Sequence, residues 1–124
     1  MLAQPPAAVR IFLCTQPTDM RKSFDGLVGS VREYLGQDPL SGHLFLSLNR
    51  RRNRVKILFW EPDGLVIWYK RLEAGTFQQL DRNLHAHCVS GSAGLELSAT
   101  ELALLLTGID LASARRRKRY ARAG

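Results

Sequence analysis

A chain of 124 residues can bury one modest hydrophobic core but not two, so a single domain is expected. Its 45% apolar and 23% charged residues exclude disordered and fibrous classes, and no run approaches the roughly 18 apolar residues of a membrane span. The formal charge of +7 sits mostly at the C-terminus: after Asp110 come Arg115, Arg116, Arg117, Lys118, Arg119 and Arg122 with no acid, which leaves residues 1–110 near neutral at +1.

Residues 1–8 lack a basic region followed by a long apolar one, so no secretory signal is read there and a cytoplasmic location is expected. Cys14 and Cys88 are far apart in a chain without an export signal, and both are expected to be reduced. Residues 9–15 are β-branched and apolar between prolines and predict a first strand. Thr18 is placed to cap a helix, Asp19 suits its first turn, and Met20, Phe24, Leu27, Val28, Val31, Tyr34 and Leu35 make one apolar stripe that Gly36 ends. A turn at residues 38–42 leads into three strands, 44–48, 55–60 and 65–72, which form a β-meander. In the second turn Pro62 and Gly64 suit a type I turn with a glycine bulge.

The signal weakens from Glu73 to Gly94, with only residues 76–80 suggesting further strand. Ser98 and Glu101 form a capping box, Leu97 and Leu102 a hydrophobic staple, and a helix of about residues 99–107 follows, stopped by Gly108. The expected fold is α+β: a small antiparallel sheet, the N-terminal strand plus the meander, with one long and one short helix on one face. Residues 1–110 form the domain; 111–124 form a basic tail without apolar periodicity, expected to be disordered.

Clustered cations are the main functional signal. Asn49 and Asn53 supply turn chemistry, but Arg50, Arg51 and Arg52 between them add self-repulsion and fill no core; with Arg54 and Lys56 they suit phosphates, since each guanidinium offers a planar fork of donors and a permanent charge. A solvated hairpin tip is the competing reading. With the bulge, Lys56, Leu58, Trp60, Val66, Trp68 and Lys70 share one face, a surface for stacking and phosphate contact or an ordinary core under a helix; Val55, Ile57, Phe59, Ile67 and Tyr69 take the other. Without the bulge Tyr69 moves beside Lys56. Arg21 and Lys22 at the start of the first helix oppose its dipole unless an anion lands there, or are simply exposed.

Enzyme chemistry finds no support. Pro62-Asp63 matches half of a nuclease signature, but Trp68 stands where an acid would have to precede Lys70, and no phosphate loop, serine elbow or zinc-protease motif is present. His85, His87, Cys88 and Cys14 are conceivable ligands whose spacing matches no standard zinc module, so neither metal nor cofactor is expected.

Four segments in order carry a resemblance: Pro17-Thr18-Asp19-Met20-Arg21-Lys22-Ser23-Phe24-Asp25-Gly26-Leu27, Asp38-Pro39-Leu40-Ser41-Gly42-His43-Leu44-Phe45, Arg54-Val55-Lys56-Ile57-Leu58 and Trp68-Tyr69-Lys70-Arg71-Leu72-Glu73. The chain resembles the TnpB accessory proteins of IS66-type bacterial insertion sequences, strongly over residues 9–75 and more weakly over 97–110. The resemblance implies a non-catalytic accessory role in transposition, strand transfer belonging to a separate transposase, with Asp19, Arg21, Lys22, Phe24, Asp25, Lys56, Trp68, Lys70 and Arg71 as signature positions. Two readings follow. In the first the protein binds DNA, at element ends or target, through Arg21, Lys22, Arg50, Arg51, Arg52, Arg54, Lys56, Lys70, Arg71 and the tail residues Arg115, Arg116, Arg117, Lys118 and Arg119. In the second it is an adaptor that holds the transposase or its partner through Trp60 and Trp68.

Overall fold

The computed structural model describes residues 9–78, 87–88, 93–107, 109–110 and 115–116. The elements are β1 (Ile11–Cys14), α1 (Phe24–Ser30) continuing into a π-helical turn (Val31–Leu35), β2 (Leu44–Leu48), β3 (Arg54–Glu61), β4 (Gly64–Arg71), β5 (His87–Cys88), β6 (Gly94–Leu97), α2 (Ala99–Thr107), β7 (Ile109–Asp110) and β8 (Arg115–Arg116). The first six strands form one sheet in the order β4-β3-β2-β1-β6-β5, while β7 and β8 make a separate two-residue ladder. The class is α+β, and the sheet is antiparallel except at β1 and β2, which run parallel because the helical segment between them carries the chain back across the sheet.

The strands of the meander alternate between two apolar faces, and each face receives one helix. Phe12, Cys14, Phe45 and Leu58 meet Leu27, Val31 and Leu35 of the first helical segment. Ile11, Leu13, Leu46, Leu48, Val55, Ile57, Leu95 and Leu97 pack with Leu105 of α2, joined by Phe77 from the loop after β4. The expectation that both helices share a face is therefore corrected: a sheet this apolar on both sides needs a cover on each.

Three local findings bear on the site. First, α1 starts at Phe24 behind Ser23, not behind Thr18; Thr18 is buried and donates its backbone N–H to the Leu48 carbonyl at 2.8 Å. An α-helix running through residues 19–23 would need the Met20 and Lys22 carbonyls for the amides of Phe24 and Gly26. The Lys56 ammonium takes both, at 2.8 and 2.6 Å. Second, the π-helical turn ends at Gly36 in the left-handed region (φ 60°), the stop the sequence predicts, and the Tyr34 carbonyl accepts from Ala93 ahead of β6. Third, the predicted capping box is formed: the Ser98 hydroxyl accepts from Glu101 N–H at 3.0 Å and the Glu101 carboxylate from Ser98 N–H at 2.8 Å.

The turn between β3 and β4 corrects the expected register. Glu61 pairs with Gly64, Trp60 with Leu65, Ile57 with Trp68 and Lys56 with Tyr69, so only Pro62 and Asp63 lie outside the ladder and there is no bulge. A glycine bulge needs a positive φ, and Gly64 is not among the glycines that adopt one. Trp60 and Trp68 consequently lie on opposite faces, Trp60 toward α1 and Trp68 toward α2, and the single face expected to carry both does not exist.

Candidate nucleic-acid interface

The hairpin between β2 and β3 is organised by Asn49. Its side-chain oxygen accepts the backbone N–H of Asn53 and Arg54, both at 3.0 Å, its amide donates to the Asn53 side chain at 2.7 Å, and its carbonyl accepts Arg52 N–H at 3.0 Å. These four bonds of Asn49 close the tip, and Arg50 and Arg51 project from it exposed. Arg52 does something else. It sits in the left-handed region (φ 59°), its guanidinium donates to the Phe77 and Gln78 carbonyls at 3.3 and 2.5 Å, and its own carbonyl accepts Phe77 N–H at 2.6 Å. Burial pushes its pKa down, the desolvation cost of that position. Arg52 anchors the segment that brings Phe77 into the core, a role that local sequence does not signal because its partners lie 25 and 26 residues away.

Three further cations expected at the nucleic-acid surface are engaged inside the fold. Lys56, 8% exposed, holds the two carbonyls before α1 and lies 4.8 Å from the centre of the Tyr69 ring. Lys22 reaches Ser30 Oγ at 3.1 Å and runs its stem over Gly26, where an added Cβ would come within 3.1 Å of it. Lys70 donates to the Leu106 carbonyl at 3.4 Å, in the last turn of α2, where a cation suits the helix dipole. Burying a methylene stem and satisfying carbonyls with the head group is a structural use of lysine that composition cannot distinguish from phosphate binding.

What remains is a smaller, coherent surface. Arg54 and Arg71 face each other at the end of the β3-β4 ladder, next to the Lys56–Tyr69 pair, and Arg54 donates to the Tyr69 hydroxyl at 3.2 Å. Tyr69 is 46% exposed, an aromatic face between cations that the sequence reading placed here only in its alternative register. The Lys56 bonds draw residues 20–22 over the same end of the sheet, with Arg21 outward, its side chain 92% exposed. Arg21 pairs with Asp19 at 2.6 Å and holds that carboxyl at about 2, well below its ordinary 3.8; Arg71 pairs with Glu73 at 2.8 Å and its own pKa is raised by that contact. The hairpin tip, Arg54, Tyr69, Arg71 and Arg21 therefore occupy one end of the domain.

Of the remaining expected sites, Arg115 and Arg116 form β8, paired with Ile109 and Asp110, and Arg117, Lys118 and Arg119 lie outside the described residues, as do residues 79–86 and His85 with them. Cys14 is buried, with its thiol pKa raised by desolvation. Among the described residues no helix is long and apolar enough to cross a membrane.

The chain is similar to two uncharacterized proteins of Sinorhizobium fredii (strain NBRC 101917 / NGR234). One is y4jC, 31% identical over 91% of this chain and 90% of that protein; the other is y4hO, 33% identical over 82% of each. No solved structure matches it. The family model of IS66 Orf2-like proteins matches residues 9–116, from β1 to the last described strand. The chain belongs to the IS66 Orf2-like family, the TnpB family of insertion sequences.

Proposed function

We propose that the protein is a non-catalytic accessory factor that assists transposition of its element by binding DNA through the basic end of the sheet, in the cytoplasm, alongside the transposase. The observation that carries this reading is the Arg54–Tyr69–Arg71 rung beside the exposed Arg50 and Arg51: guanidinium groups for phosphate and one exposed ring for a base or sugar face. The two carboxylates on this surface, Asp19 and Glu73, sit in exposed ion pairs, which water and salt already weaken and which a phosphate can exchange at little cost. The contacts are to backbone chemistry, so binding is expected to depend weakly on sequence.

The test replaces Arg50, Arg51, Arg54 and Arg71 by alanine and measures affinity for labelled duplex and single-stranded element ends across salt concentration. Affinity should fall on all sequences, and the slope of log K against log salt should drop by up to about 3–4. Unchanged affinity at every salt concentration, in a variant that melts as the parent does, refutes the assignment.

The adaptor reading keeps one specific support, the 42% exposure of Trp68 on the α2 face. Trp68→Ala should then abolish transposase association while leaving DNA binding intact, and Trp60→Ala, on the other face, should not.

A further inference from the structure

Apart from its basic end, the sheet presents one edge without a described partner strand. β4 is the last strand of the sheet, and no described strand pairs on its outer side. Edge strands that stay monomeric usually break themselves with a central charge, a proline or a bulge. β4 has none of these: Leu65, Val66, Ile67, Trp68 and Tyr69 are uncharged and consecutive, and the ladder with β3 is regular throughout. Charges flank it only at the ends: Asp63 in the turn before it, and Lys70 and Arg71 at its close, where Arg71 also pairs with Glu73.

The direction of its backbone groups follows from one bond. Leu72 N–H donates to the Asn53 carbonyl at 2.8 Å, and in an antiparallel ladder bonded pairs alternate, so Lys70, Trp68 and Val66 turn their amides and carbonyls toward β3. Those of Leu65, Ile67, Tyr69 and Arg71 therefore point outward. We infer that this edge pairs with β4 of a second copy of the chain, antiparallel, to form a two-fold symmetric dimer with one continuous sheet.

The charge pattern selects that occupant and that direction. With Ile67 opposite its symmetry mate, Tyr69 of one copy meets Leu65 of the other, Trp68 meets Val66, and Arg71 lies against Asp63 in the other copy's turn. A basic end then lies against an acidic turn, twice, whereas parallel pairing would stack Lys70 and Arg71 on themselves. Trp68 and Tyr69, 42% and 46% exposed on opposite faces, would each gain an aliphatic cross-strand neighbour, which accounts for a bare aromatic on both sides of one edge. Asp63, in the turn before β4, and Arg71, at the end of β4, are separated by the length of the strand, roughly 26 Å at about 3.3 Å per residue, so within one copy they do not interact.

The experiment uses the full chain without nucleic acid and under reducing conditions. Sedimentation equilibrium should show a monomer–dimer equilibrium. Arg71→Glu and Asp63→Arg should each weaken it at least tenfold, and the double variant should recover most of the loss, a rescue that a change in fold stability does not produce. In the parent, hydrogen exchange at the amides of Leu65, Ile67, Tyr69 and Arg71 should slow as concentration rises, while Val66, Trp68 and Lys70 stay slow at all concentrations. This exchange readout decides the matter even if a charge variant folds poorly. A monomer at all concentrations, concentration-independent exchange at the four amides, or a dimer indifferent to both reversals overturns the inference; the first would leave the edge to a strand of another protein.

Discussion

Two cations that share a sequence neighbourhood with Arg50 and Arg51 show how differently one residue type is used. Lys56 satisfies two carbonyls that would otherwise extend α1 backward, and it does so while nearly buried. Lys56→Met keeps the stem but leaves both acceptors without their donor, so the denaturant midpoint should fall by the equivalent of about 2–3 kcal/mol. Arg52 combines backbone strain with two long-range bonds. Arg52→Ala should cost about 1–2 kcal/mol in thermal or denaturant unfolding, Arg52→Gly less because it relieves the left-handed φ, and Arg50→Ala or Arg51→Ala less than about 0.5. Equal effects at positions 50, 51 and 52 would show that the Arg52 anchor contributes nothing.

At the level of elements, local chemistry was legible wherever the signal and its partner lie within a few residues. β2 was predicted at its observed bounds, and α2 with its capping box needed only Ser98, Glu101 and the staple residues Leu97 and Leu102. Ser98→Ala removes one half of that box and should lower stability by about 1 kcal/mol, read as a shift in unfolding midpoint with unchanged slope. Thr18 does not cap α1 because Lys56, 34 positions beyond Lys22, takes the carbonyls that an earlier start would use. β6 gives no local signal for a related reason: Gly94-Leu95-Glu96-Leu97 is too short to announce a strand and becomes one only between β1 and β5. Its Glu96 then pairs with Arg10 at 2.6 Å across the sheet, a contact that spacing alone does not reveal.

For the whole molecule, charge distribution divides the DNA-binding proposal into two parts that can be separated. The basic end of the sheet belongs to the folded body, whereas Arg117, Lys118, Arg119 and Arg122 follow the last described strand. Removing residues 117–124 should leave the melting temperature of the body unchanged. If the tail contacts DNA, the salt slope should fall by up to about 3–4 while affinity carried by Arg50, Arg51, Arg54 and Arg71 persists. Titration of the truncated chain and of the four-arginine variant, in parallel, assigns each share of the slope.

The order of the first four segments, the α+β class, the family and the concentration of positive charge could all be read from residue order, because each rests on local pattern: period two in the strands, turn residues at short offsets, a capping box and runs of arginine. Which cations face solvent could not. Lys22, Lys56, Lys70 and Arg52 were taken by carbonyls and a hydroxyl that the fold brings to them, and Tyr69 was added to the site by a turn that closes on two residues without a bulge. A one-residue change of register moves every side chain of a strand to the other face, and register is decided by how β3, β4 and the helices on either side bury their apolar residues together.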